Sequence, residues 1–237
     1  MTTTFYPFTA SNGAKSWYHV FDYGTRGYMY FFDGDYWDLE DTSVGDPDGG
    51  LVAQLRQVAE ARQLTLVVVN TPDQDGTGDG FTWWQNTKRN GTYLREVHAR
   101  VRSVRPNVDP SVVWLVGYSG GAEFITYELM HRGFPGMTAG GAVIVGGGGA
   151  DAPVATATGT APAAARPGIN LEWYVGAQDV PGATNPPQWS ALAAAREGVD
   201  AYAAAGFTVV LHVIAGLDHE HYSIADYVAR TVPTVSA

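Results

Sequence analysis

The sequence contains no cysteine, which excludes disulfide bridges, thiolate zinc sites and a cysteine nucleophile, and leaves the redox compartment open. Lysine is almost as scarce: Lys15 and Lys88 are the only two, and Lys and Arg together number 14 against 24 Asp and Glu, a formal net charge of −10. Nucleic-acid binding draws on clustered Lys and Arg to release counterions. No such cluster is present, so nucleic acid is not an expected partner. No basic amphipathic stretch suggests attachment to a membrane surface. No apolar run approaches the roughly 20 residues of a membrane span. The opening MTTTFYPFTASNGAKS lacks a basic segment followed by an apolar one, the pattern of a secretory signal. The sequence therefore assigns no compartment; a cytoplasmic protein and a processed exported one would read alike.

What is present is globular: 45% hydrophobic and 12% aromatic residues in 237 positions, enough for one sizeable core. Asn12-Gly13 between FYPFTA and KSWYHVFDY is a hairpin signal, so an antiparallel opening is expected. GYMYFFDG then reads as a fully buried strand, GGLVAQLRQVAEARQ as a helix and LTLVVVN as a strand. After a polar, glycine-rich loop at about 70–90, the alternation continues. TYLREVHARVRSV is helical, SVVWLV a strand, AEFITYELMHRG a helix, and AGGAVIVGGGG and INLEWYVGAQD strands. QWSALAAAREGVDAYAAAG is a helix, FTVVLHVIAG a strand and HYSIADYVARTV a final helix. Buried strands alternating with helices predict a three-layer α/β/α sandwich with a mostly parallel central sheet and antiparallel N-terminal strands. A single domain over residues 1–237 is expected. The low-complexity stretch 146–168 stands where a crossover helix should lie, and reads as a long connection or lid.

At 117–121, GYSGG separates a predicted buried strand from a predicted helix. A GxSxG pattern alone is weak, but this context is the one a nucleophile elbow requires. The turn is tight, so Gly117, Gly120 and Gly121 supply the small flanking residues. A serine hydroxyl becomes nucleophilic when a base takes its proton and an acid holds that base in the right tautomer. Asp179 ends NLEWYVGAQD, just past the next-to-last strand. His219 lies in the loop after the last strand. The order Ser119, Asp179, His219 is that of α/β-hydrolases. His219 is preferred to His221, and Asp179 to Asp218 and Asp200. The other histidines, His19, His98, His131 and His212, fall within predicted strands or helices. Ester chemistry also needs donors aimed at the developing oxyanion: the backbone N–H of Gly120, and that of Asp35 in the turn after YMYFFDG. Tyr36, Trp37, Tyr118, Trp83, Trp84 and Trp189 are the candidate substrate contacts, with Trp83 and Trp84 placed first.

On these residues the chain resembles a known family. VDPSVVWLVGYSGGAEFITYEL is similar to the nucleophile region of α/β-hydrolase esterases related to polyhydroxyalkanoate depolymerases, feruloyl esterases and esterase D. GDGFTWWQNTKRNGTYLREVHARVRS is similar to them in layout. The resemblance implies hydrolysis of a small-molecule or polymer carboxylic ester through an acyl-serine, with no cofactor. Asp33-Gly34 stands where many of these esterases have His-Gly, and looks more like the mycolyltransferase branch. Acyl transfer to an alcohol is therefore an alternative, and a non-catalytic binding module on the same scaffold is another. The oligomeric state stays open.

Two acidic stretches invite a metal reading. In DQDGTGDG, the residues Asp73, Asp75, Thr77 and Gly78 fit half of an EF-hand loop. The twelfth position is Trp84 and not glutamate, so a solvated loop is expected. Asp33, Asp35, Asp38, Glu40, Asp41, Asp46 and Asp48 likewise read as loop surface, and no metal is assigned.

Overall fold

The computed structural model describes residues 5–74, 80–150, 154, 161–183 and 187–234. Eight strands form one sheet in the order β1-β2-β4-β3-β5-β6-β7-β8. They are β1 (Phe5–Thr9), β2 (Lys15–Asp22), β3 (Tyr28–Phe32), β4 (Thr65–Val69), β5 (Val112–Tyr118), β6 (Ala139–Val145), β7 (Ile169–Gly176) and β8 (Thr208–Ile214). β1 and β2 pair antiparallel across the Asn12-Gly13 turn, and β2 runs antiparallel to β4. Every other pairing is parallel.

β3 shows why the sheet is covered on both sides. All five of its residues are buried, and side chains alternate across a strand. Tyr28, Tyr30 and Phe32 therefore join one apolar layer, while Met29 and Phe31 join the other. The first layer packs against α2 (Thr87–Val104), α3 (Gly120–Phe124) and α5 (Ala191–Ala204). The second packs against α1 (Gly50–Ala61) and α6 (Ile224–Thr231). The predicted α/β/α architecture is thus the observed one.

The segment expected as a single helix from Ala122 to Gly133 is not uniform. α3 gives way to a π-helical turn at Ile125–Leu129 before α4 (Met130–Arg132). Within that turn the buried Glu128 meets Arg95 at 2.7 Å and Arg132 at 3.0 Å. The expected connection at 146–168 is described only in part, since residues 151–153 and 155–160 lie outside the described residues. At its start Gly148 and Gly149 are buried, and their N–H groups donate to the Glu123 carboxylate at 3.1 and 3.0 Å. Among the described residues no helix is long and apolar enough to cross a membrane.

Candidate active site

Ser119 sits between β5 and α3 with φ +50° and ψ −117°. For a non-glycine residue this backbone costs on the order of 1–3 kcal/mol, and it persists where the surroundings over-determine it. Here the Ser119 N–H donates to the Val145 carbonyl at 2.9 Å, and its own carbonyl accepts from Ala122 and Glu123 at 2.9 and 3.1 Å. Close approach also fixes the neighbouring glycines. A Cβ on Gly121 would lie 2.3 Å from the Phe32 carbonyl oxygen, and one on Gly120 would lie 2.1 Å from Asp35 Oδ1.

The two other residues singled out by chain order meet Ser119. β7 ends beside Asp179 and β8 leads into the turn carrying His219, so adjacent parallel strands deliver both to the same sheet end. His219 Nε2 is 2.9 Å from Ser119 Oγ, and Nδ1 is 2.8 Å from Asp179 Oδ2. Both side chains are buried, that of Asp179 completely. A carboxylate only accepts, so Nδ1 carries the proton and Nε2 is left to accept from the serine hydroxyl. His221 is exposed and pairs with Asp218, and it precedes α6 instead of starting it. Asp200 is exposed on α5.

Two phenols hold this arrangement. Tyr222 donates to Asp179 Oδ2 at 2.6 Å while accepting from the Gly176 N–H at 2.8 Å. Tyr118 donates to the His219 carbonyl at 2.7 Å. Burial pushes both phenols well above their ordinary range, and nearby carboxylates, Asp179 at Tyr222 and Glu220 at Tyr118, add to it. Both therefore stay protonated donors. The Trp189 ring stands edge-on to the imidazole at 5.7 Å.

Beside Ser119 and Gly120 a cavity of about 220 Å³ opens, walled by Asp35, Trp84, Glu123, Tyr127 and Trp189. Trp84 Nε1 donates to Asp35 Oδ2 at 2.7 Å, fixing the indole against the wall. Burial raises the Glu123 carboxyl above its usual range, opposed by hydrogen bonds from Tyr127, Gly149 and Gly148.

Four of the six expected substrate contacts stand elsewhere. Trp83 is buried and stacks on Phe124 with ring centroids 4.7 Å apart; it belongs to the core because the chain turns its ring inward and that of Trp84 outward. Trp37 is 63% exposed and does not wall the cavity. Tyr36 is drawn away by Asp33, to which its phenol hydrogen-bonds. Tyr118 is turned towards the His219 carbonyl. Asp33, expected at the loop surface, is instead buried and accepts from the N–H groups of Gly34 and Ser43 at 2.9 and 2.7 Å. It thereby gathers the loop that presents Asp35. The half EF-hand falls mostly outside the described residues, since Asp75, Thr77 and Gly78 are not described; Asp73 accepts from Asn86 Nδ2 at 2.7 Å. Among the described residues no group of three or more acidic or histidine side chains could hold a metal ion.

Tyr222, Glu123 and Tyr127 are the residues that sequence reasoning missed. Tyr222 carried no signal, because a phenol in the loop before α6 does not stand just past a strand. Glu123 had one: an acidic residue four positions after the serine, within an otherwise apolar helix start.

No protein-family model and no curated protein matches the chain. Solved structures do match, and the fold they share defines the class: this is an α/β-hydrolase fold. One is esterase PE8, 14% identical over 97% of each chain with a TM-score of 0.59. A second is LpqC, a poly(3-hydroxybutyrate) depolymerase from Bordetella parapertussis, 17% identical over 96% of this chain and 88% of that one, TM-score 0.61. A third is an α/β serine hydrolase without a lid from Xanthomonas campestris, 14% identical over 100% and 98%, TM-score 0.57. At these identities the likeness is one of fold.

Proposed function

We propose that the protein is a serine hydrolase that cleaves carboxylic esters through an acyl-serine. Ser119 Oγ attacks the ester carbonyl as His219 Nε2 takes its proton. The imidazolium so formed is stabilised by Asp179, which also keeps the ring in the Nδ1–H tautomer. The tetrahedral oxyanion is met by the N–H of Gly120, which at the first position of α3 has no partner within the helix, and by that of Asp35. Collapse expels the alcohol, which takes the proton from His219. Water then attacks the acyl-serine with His219 again as base, releasing the acid and restoring Ser119.

The observation that carries this reading is the continuous hydrogen-bond chain from Ser119 through His219 to Asp179, at 2.9 and 2.8 Å, ending on a serine held at positive φ. A structural role for Ser119 would need neither the strained backbone nor a buried imidazole at its hydroxyl. The test is turnover of short p-nitrophenyl esters together with labelling by a fluorophosphonate. Ser119→Ala is expected to lower kcat by roughly ten-thousand-fold or more and to abolish labelling. Folded wild-type protein that neither turns over esters nor takes the label sinks the proposal. Assaying free acid with and without added alcohols separates hydrolysis from acyl transfer.

A further inference from the structure

The cavity beside Ser119 has an unusual charge balance. Among the described residues two of its walls are carboxylates, Asp35 and Glu123, and none is Lys or Arg. The remaining walls, Trp84, Tyr127 and Trp189, are aromatic. A pocket for a fatty acyl chain would need no carboxylates, and leaving two on its walls would penalise burying apolar groups there.

Sugar or polyol hydroxyls would have to share the carboxylates' lone pairs with donors the protein already supplies. Glu123 takes one N–H on each oxygen, from Gly148 and Gly149, and Asp35 Oδ2 takes the Trp84 indole N–H. These hydrogen bonds occupy lone pairs without cancelling the charge. Negative charge bounded by aromatic rings suits a group that carries positive charge. At about 220 Å³ the space falls below the ~300 Å³ at which drug-sized pockets begin, so the group is small. The whole chain, at −10, attracts cations towards such a site.

We infer that the cavity between Asp35, Glu123 and the rings of Trp84, Tyr127 and Trp189 receives a small ammonium group carried by the ester substrate. This rests on the esterase reading, whose chemistry it leaves unchanged. The direct comparison is acetylcholine against its neutral isostere, 3,3-dimethylbutyl acetate, in which a carbon replaces the nitrogen. An ammonium beside two carboxylates and three aromatic rings is expected to favour the cationic ester by about tenfold or more in kcat/KM. Tetramethylammonium is expected to inhibit hydrolysis of p-nitrophenyl acetate competitively, where tert-butanol does not. In Asp35→Asn, which keeps the backbone N–H, the ratio between the two esters should fall several-fold, with the neutral ester as internal reference.

Equal rates for the two esters with no inhibition by tetramethylammonium overturn the inference while leaving the esterase reading standing. A preference for glycerol or sugar acetates over both esters overturns it in favour of hydroxyl recognition. In a chain that hydrolyses none of these esters, calorimetric titration with tetramethylammonium still decides: binding that weakens in Asp35→Asn supports the cation site, and no binding removes it.

Discussion

The two oxygens of Asp179 carry unequal loads. Oδ2 accepts from both His219 Nδ1–H and the Tyr222 hydroxyl, whereas Oδ1 hydrogen-bonds to none of the described residues. Tyr222 is therefore the second anchor of the carboxylate, and the Gly176 N–H fixes the phenol in turn. Hydrogen bonds to charged groups contribute about 1.5–3 kcal/mol. Tyr222→Phe keeps the ring and removes this one, so Asp179 is free to rotate away from the imidazole. The expected result is a fall in kcat of roughly ten- to hundredfold with KM little changed, since no cavity wall is altered; an unchanged kcat would show that His219 alone orients Asp179. This part of the site was illegible in the sequence for a physical reason. Ser119, Asp179 and His219 are readable because each stands just past a strand, and parallel strands bring their ends together. A phenol reaching in from the loop before α6 obeys no such spacing. The same limit explains Trp83 and Trp84: the loop composition marks both as candidates, but an irregular segment has no period to tell which ring faces inward.

The turn at Ser119 is an element-scale device, and its stability depends on backbone contact. The α3 helix starts so close to β3 that Gly121 lies against the Phe32 carbonyl, with no room for a Cβ. Because the obstructing atom is backbone, a new methyl displaces either β3 or α3. Gly121→Ala is expected to cost about 3 kcal/mol of stability, measured by urea denaturation, and to lower activity by moving Ser119 relative to His219. Full activity and stability in that variant would mean the helix start has slack that the packing does not show. At this scale the sequence was most informative, because burial and periodicity agree: YMYFF has to be covered on both faces, and Asn12-Gly13 turns the first hairpin. The π-helical turn at Ile125–Leu129 was not readable, since its residues keep ordinary helical propensities. Its buried Glu128 with two arginine partners becomes apparent only when Arg95, from a different helix, is brought alongside.

Acid sensitivity belongs to the molecule as a whole, because the buried titratable groups oppose one another. His98, on α2, is nearly inaccessible: its Nδ1 lies 2.6 Å from the Tyr30 hydroxyl on β3, and its Nε2 lies 3.2 Å from the Pro135 carbonyl. Burial pushes the Tyr30 phenol far up, so it donates, and the imidazole is neutral with its proton on Nε2. Burial, with Arg102 adding to it, lowers His98 to about 4 from an ordinary 6.5. The unfolded chain therefore binds the extra proton first. The stability held by neutral His98 is complete above pH 6.5 and is lost as pH falls towards 4, by roughly 3 kcal/mol in all. Asp33 and Glu123 act in the opposite sense, since burial raises both carboxyls and the fold regains stability as they protonate. So does the exposed His221, which Asp218 raises. The lowered carboxyls of Asp109, Glu172 and Asp218 lose stability on acidification as His98 does; the wild-type curve sums all of these, and subtraction isolates His98. In His98→Gln, denaturation at pH 7 and at pH 4.5 should show a smaller loss of stability on acidification than in wild type. Parallel losses in the two proteins would place the acid sensitivity elsewhere than this joint between helix and sheet.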